Sequence, residues 1–229
     1  MKQLLLALVP GPEPSLENFF PGRNAELHAT LHAVISGASA ERCLYLWGQP
    51  GCGRTHLLKA TEAALRVRGV PARYLPAAGP WPEMPDEVAA LLIDDVECLD
   101  VPTQAAFFFV YNRLRERRGI VVAAGNLPPA RLSLRPDLVT RLGWGLTYQV
   151  YALSDAEKGQ ALKTHAAARA FELPEEVIEY LLRHFQRDLP SLIGVLEALD
   201  RYSMQTHRLI TVPLLRELLQ GGHAPGPPA

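Results

Sequence analysis

Cysteine is scarce in this sequence. The three that occur, Cys43, Cys52 and Cys98, form no Cys-x-x-Cys pair. An odd number at such spacings gives neither a disulfide framework nor a zinc site, and the reading is reduced thiols in a cytoplasmic protein. An excess of charge is missing too. Lys and Arg number 23 against 24 Asp and Glu, a formal net charge of -1. That argues against a generic nucleic-acid coat and leaves a local basic patch open. His165, His184 and His207 fall on separate predicted elements without metal-ligand spacing, so they are assigned no role. No apolar run approaches the roughly 20 residues that cross a bilayer, so no membrane is expected as a partner. The run at 4–9 is shorter than a secretion signal's core of roughly 7–15 residues, and Pro10-Gly11-Pro12-Glu13-Pro14 follows it in place of a small-residue cleavage site.

What is present is a globular composition. Hydrophobic residues make up 48% of the 229, enough for a sizeable core and for one domain with a small appendage. The chain divides by pattern into an N-terminal apolar tip and proline-rich linker at 1–14, an α/β core at 15–152, a helical segment at 153–220 and a Gly/Pro tail at 221–229.

The most informative stretch is Gly48-Gln49-Pro50-Gly51-Cys52-Gly53-Arg54-Thr55. An apolar strand at 43–47 precedes it, and a helical pattern from His56 to about Arg68 follows. Strand, glycine loop and helix together are the context of a phosphate-binding loop: backbone N–H groups turn inward around phosphate oxygens, and the helix N-terminus adds partial positive charge. Gly48, Gly51, Cys52, Gly53, Arg54, Thr55 and His56 are the candidate nucleotide-binding residues, with Thr55 placed to hold Mg²⁺. The motif calls for lysine where this chain has Arg54. A planar guanidinium does not replace a compact ammonium conservatively, so binding is expected to survive better than turnover.

About forty residues on, Ala89-Ala90-Leu91-Leu92-Ile93-Asp94-Asp95 reads as a strand buried on both faces with acids at its C-terminal end, where open α/β sheets bind ligands. Asp94 is expected to hold Mg²⁺ with Thr55, and Asp95 stands where a base would orient water, with Glu97 a weaker candidate. A strand at 120–124 ends in Gly125-Asn126, placing Asn126 to sense a terminal phosphate. Residues 103–118 form a helix whose Phe107, Val110, Tyr111 and Leu114 face the core, with Arg113, Arg115, Arg117 and Arg118 at a solvated end. A last strand is expected at 147–151. From Leu153 the period changes to helical: a capping box at Ser154-x-x-Glu157 opens the first of four helices.

Taken together the pieces resemble an AAA+ nucleotide-binding module: an α/β P-loop core with a parallel sheet, five strands expected, followed by a small all-α lid. Asn18-Phe19-Phe20-Pro21-Gly22-Arg23-Asn24, Arg54-Thr55-His56-Leu57-Leu58, Leu92-Ile93-Asp94-Asp95 and Arg141-Leu142-Gly143-Trp144-Gly145 resemble the bacterial initiator DnaA across residues 15–220. Neither the initiator's C-terminal helix-turn-helix nor its N-terminal self-association domain is expected here. Arg54 and Phe171-Glu172-Leu173-Pro174 resemble the Hda family of DnaA paralogues, as does the N-terminal Gln3-Leu4-Leu5-Leu6-Ala7-Leu8. That N-terminal peptide resembles the one by which bacterial replication proteins dock on the sliding clamp, with Gln3, Leu4, Leu6 and Leu8 as its contacts.

The resemblance implies a negative regulator of replication initiation. Such a protein holds ADP (or ATP) with Mg²⁺ through the P-loop, Asn24, Asp94, Asp95 and Asn126. It docks on the β sliding clamp of DNA polymerase III, meets DNA only through that clamp, and stimulates ATP hydrolysis by DnaA with little turnover of its own. Arg141 is then an arginine finger offered in trans. Where DnaA has a lid arginine, this chain has Pro190, and Arg187 is out of register. The alternative is a self-sufficient AAA+ ATPase acting as a helicase loader or initiator-like remodeller. A homo-oligomer fits either reading.

Overall fold

The computed structural model describes residues 13–76, 79, 81–185 and 188–220. The peptide with Gln3, Leu4, Leu6 and Leu8 lies outside them. The chain separates into two compact units, a core at 14–152 and a helical unit from Leu153 onward.

In the core the elements alternate. α1 (Ala25–Ser36) leads to β1 (Cys43–Trp47), α2 (Arg54–Val67), β2 (Ala72–Pro76), β3 (Ala90–Asp94) and α3 (Val101–Glu116). β4 (Ile120–Gly125), α4 (Pro136–Leu142) and β5 (Leu146–Gln149) complete it. The five strands form one sheet in the order β2-β3-β4-β1-β5, and every pairing is parallel. β3 and β4 are buried along their whole length, which their unbroken apolar runs require. β2 and β5 form the more exposed edges.

Alternation along the strands makes two cores. Leu44, Leu46, Leu92 and Val122 point to one face, where Leu31 of α1 and Leu57, Leu58 and Leu65 of α2 cover them. Tyr45, Leu91, Ile93 and Val121 point to the other, against Phe107, Tyr111 and Leu114 of α3 and Leu138 and Leu142 of α4. The helix after β1 thus packs on one face, and those after β3 and β4 on the other. Connections that part in this way open a crevice at the C-terminal ends of the strands, which is where the glycine loop lies.

The elements depart from the sequence pattern in places. α3 starts two residues earlier than the periodicity suggests, because Asp100 caps it by accepting a 2.9 Å bond from the Thr103 N–H. α4 was not apparent: at seven residues it is too short to set a period, and Pro136 opens it. β5 stops at Gln149, because the Tyr151 backbone pairs with the Asn24 side chain instead. The arginines ending α3 are also more engaged than a solvated tail. Arg113 bonds Asp86 at 2.7 Å, and Arg115 stacks over Trp144 at 4.4 Å.

The helical unit contains α5 (Asp155–Ala168), α6 (Glu175–His184), α7 (Leu189–Thr206) and α8 (Val212–Leu219). Leu162, Ile178, Leu181, Leu196, Leu199 and Leu214 form its own core. Ser154 and Glu157 close both halves of the capping box. Pro190 sits in the first turn of α7, where a missing N–H costs no helical bond. Among the described residues, no helix is long and apolar enough to cross a membrane.

Candidate functional site

The site grows from the turn between β1 and α2. Gly48 donates its N–H to the Gly125 carbonyl at 3.3 Å, and a Cβ there would stand 2.4 Å from the Val150 carbonyl oxygen. Only glycine fits where β1 is pressed between its two neighbours. Gly51 and Gly53 have φ of 79° and 104°, and Gly53 caps α2, leaving that helix's first N–H groups without side-chain partners. Cys52 is buried in the core beneath the loop, and burial pushes its thiol upward.

Thr55 joins the loop to β3. Its hydroxyl donates to Asp94 Oδ2 at 2.5 Å, and Tyr74 from β2 donates to the same oxygen at 3.1 Å. The other oxygen of Asp94 accepts the Asp95 N–H at 3.1 Å. Asp94 is 2% exposed, a carboxylate buried because it is hydrogen-bonded on both oxygens. Burial pushes the Tyr74 hydroxyl up, and the Asp94 charge adds to it, which keeps Tyr74 a donor. Its contribution was not foreseen, although a tyrosine two strand positions from Pro76, registered against Leu92, lies one strand from the acids.

Arg54 does not extend to solvent. Its guanidinium turns down beside the ends of β3 and β4, 3.4 Å from Asp95 Oδ1 and 4.0 Å from Glu97 Oε1. Asp95 has a left-handed backbone, φ 44°, and burial and the Asp94 charge raise its carboxyl above the ordinary range. Glu97 Oε1 accepts the Asn126 N–H at 3.1 Å. Arg54 Nη1, Glu97 Oε2 and Asn126 Oδ1 are all buried with no hydrogen-bond partner. Unsatisfied buried polar atoms are rare, and three at one set of strand ends point to a polar ligand.

His56 turns the other way. Its Nε2 pairs with the Ser15 carbonyl at 2.9 Å, and its ring lies 5.7 Å from Phe19. Phe19 also covers Gly53, and His28 holds the Leu16 carbonyl at 2.9 Å. The segment before α1 is thereby fastened over the glycine loop. Asn24 belongs to that fastening: its amide donates to the Tyr151 carbonyl at 2.9 Å and accepts the Tyr151 N–H at 2.8 Å. Both ends of the Asn24 amide serve the backbone, so it orders the rim of the site.

The structure thus brings together the glycine loop, Arg54, Thr55, Asp94, Asp95 and Asn126, with His56 of α2 fastening the covering segment and Asn24 at that segment's end. Thr55 and Asp94 supply hard oxygen donors of the kind Mg²⁺ takes alongside phosphates and water. No His, Cys, Asp and Glu cluster among the described residues would hold a metal unaided.

Arg141 stands apart, at the end of α4. Its Nε donates to Asn112 Oδ1 at 2.8 Å, and its guanidinium lies 3.8 Å from the Trp144 ring centroid and 5.4 Å from that of Phe108. Its carbonyl accepts from the Tyr111 hydroxyl at 2.8 Å. The side chain is half-buried, and Trp144 beside it is half exposed. Asn112 and Phe108 come from α3 and gave no sequence signal, since their role exists only once α4 lies against α3.

Residues 155–219 match the family model described as "Hda, lid domain". AMPPCP-bound DnaA from Aquifex aeolicus is similar in structure at 23% identity and a TM-score of 0.68, over 83% of this chain and 66% of that one. Domain III of DnaA from Thermotoga maritima aligns at 24% identity and a TM-score of 0.71, over 93% of this chain and 98% of that domain. The Thermotoga maritima RuvB branch-migration motor aligns at 15% identity and a TM-score of 0.64, over 93% and 72%. These likenesses establish the fold of the whole, and the family match belongs to the lid segment.

Proposed function

We propose that this chain, an AAA+ protein related to Hda and DnaA, is a regulator of replication initiation that holds its own nucleotide and lends Arg141 to a neighbour's. The neighbour is DnaA bound to ATP. The meeting place is a sliding clamp on DNA, reached through Gln3, Leu4, Leu6 and Leu8, in the cytoplasm. ADP with Mg²⁺ is the ligand proposed for the P-loop, Thr55 and Asp94 being the protein's donors to the ion.

The observation that carries this reading is the setting of Arg141. A guanidinium fixed by Asn112 and Trp144 yet reachable from outside is pre-oriented, so presenting it to a phosphate costs little ordering. Delivered to a developing negative charge, such a group is worth roughly 10³–10⁵ in rate. Arg54 supports the other half. Turned toward Asp95 and Glu97, it neutralises carboxylates of its own chain, an arrangement suited to holding a ligand and poor for following a terminal phosphate through transfer.

The test mixes DnaA–ATP, clamp-loaded DNA and this protein, and follows ADP formation. Strong stimulation is expected, abolished by Arg141→Ala and by Gln3→Ala combined with Leu6→Ala. Full activity of the Arg141 variant would remove the finger assignment. Robust hydrolysis by this chain alone would favour a self-sufficient ATPase.

A further inference from the structure

Two of the unsatisfied atoms at the strand ends belong to Glu97 and Arg54. Glu97 lies in the short 3-10 turn Val96–Cys98 after β3. Its Oε1 is held by the Asn126 N–H and lies 4.0 Å from Arg54 Nη1. Its Oε2 lies over Gly125, where an added Cβ would be 2.9 Å away, and has no partner. Arg54 Nη1 likewise has no hydrogen-bond partner, only the 4.0 Å ion pair with Glu97 Oε1. The guanidinium is therefore drawn between Asp95 and Glu97 without being saturated by them.

The charges around it do not balance. Asp95 and Glu97, two carboxylates, face a single guanidinium at the ends of β3 and β4. A ligand's distal phosphate entering here gains Arg54 only by taking it from two carboxylates. It must also lie near Glu97, whose side chain is only 21% exposed and so poorly screened. A diphosphate, ending one phosphate sooner, is spared that repulsion.

We infer that Glu97 is a specificity-determining residue of the nucleotide site, setting it for nucleoside diphosphate over triphosphate by holding Arg54 and repelling a third phosphate. This rests on the reading of the P-loop as a nucleotide site. Glu97 touches no reacting atom; it acts on the ligand through charge and through the position of Arg54.

The experiment is competitive titration of the full chain with ADP and ATP, with Mg²⁺, using a fluorescent nucleotide as the displaced probe. Glu97→Gln keeps the shape and the acceptor for Asn126 while removing the charge. Its ATP affinity is expected to rise roughly tenfold, the scale of one unit charge across a partly solvated site, with ADP affinity within about twofold of wild type. Asp95→Asn, at a side chain half exposed, is the second variant and is expected to shift the ratio the same way by less. Circular dichroism melts accompany each, so that loss of fold in one variant leaves the other to decide. A ratio unmoved in the folded variants, or both affinities moving together, overturns the assignment to Glu97 and leaves the nucleotide site standing. No nucleotide binding by the wild-type chain overturns the site itself and this inference with it.

Discussion

Thr55 and Asp94 are joined by a 2.5 Å hydrogen bond that links the first turn of α2 to the end of β3. The sequence marks both as candidate Mg²⁺ ligands, and the Thr55 hydroxyl donates to the Asp94 carboxylate. Removing either partner should therefore have two separable effects. Thr55→Ala leaves Asp94 Oδ2 with only Tyr74 and should cost about 1–2 kcal/mol of stability. It should also weaken Mg²⁺-dependent nucleotide binding well beyond tenfold while leaving Mg²⁺-free binding nearly unchanged. Thermal melts and titrations with and without Mg²⁺ check the two parts. Equal loss with and without the ion would make Thr55 a structural residue only.

The platform under Arg141 gives a second prediction. The Trp144 ring lies 3.8 Å from the guanidinium and Asn112 fixes its Nε, so the side chain is held on two sides. Trp144→Ala keeps the charge and loses the orientation. If Arg141 is the proposed finger, it should lower stimulation of the partner's hydrolysis by roughly tenfold, less than Arg141→Ala, for which a loss of roughly 10³-fold or more is expected. Arg141→Lys should resemble the alanine variant, since an ammonium cannot stack on Trp144 and bond Asn112 in one plane. The readout is single-turnover ADP release from the partner.

Much of this was legible in the sequence, for a physical reason. The strands β1, β3 and β4 are buried on both faces, so their sequences are unbroken apolar runs, and the glycine loop is a backbone demand that few residues meet. Those features are local. Edge strands and short helices are less local: β5 has little burial to mark it, and α4 has too few residues to set a period. The downward turn of Arg54 and the cage around Arg141 depend on residues brought from β3, β4 and α3 by the fold, and no spacing along the chain announces them. Asn24 teaches the opposite lesson: the motif that pointed to it was informative, but its side chain serves the Tyr151 backbone.

His56 gives the molecule a pH dependence. Burial lowers the pKa of its imidazole, outweighing the bond to the Ser15 carbonyl. The folded state therefore binds the proton less readily than the unfolded chain, whose histidine titrates near 6.5. Stability from this group is full above that value and is lost as pH falls from it toward the lower folded pKa. Melting temperatures measured between pH 7.5 and about 5 should fall more steeply for the wild type than for His56→Gln. An identical slope for the two would assign the acid sensitivity to other groups.

The three consecutive phenylalanines of α3 separate core from surface within one turn. Phe107 is fully buried between Tyr111 and Trp81, Phe108 is partly buried with Arg141 beside its ring, and Phe109 is 72% exposed. Phe107→Ala should cost about 3–5 kcal/mol, because it empties a fully buried ring site in the core beside Trp81 and Tyr111. Phe109→Ala should stay within about 0.5 kcal/mol in stability. Phe108→Ala is the informative variant. It removes one wall of the Arg141 cage and little of the core, so it should lower partner stimulation severalfold at a stability cost nearer that of Phe109 than of Phe107. Denaturant midpoints and stimulation assays on the three variants would order them differently in the two measurements. If the orders coincide, the loss at Phe108 follows from stability alone, and the guanidinium owes its orientation to Trp144 and Asn112 without help from α3's middle ring.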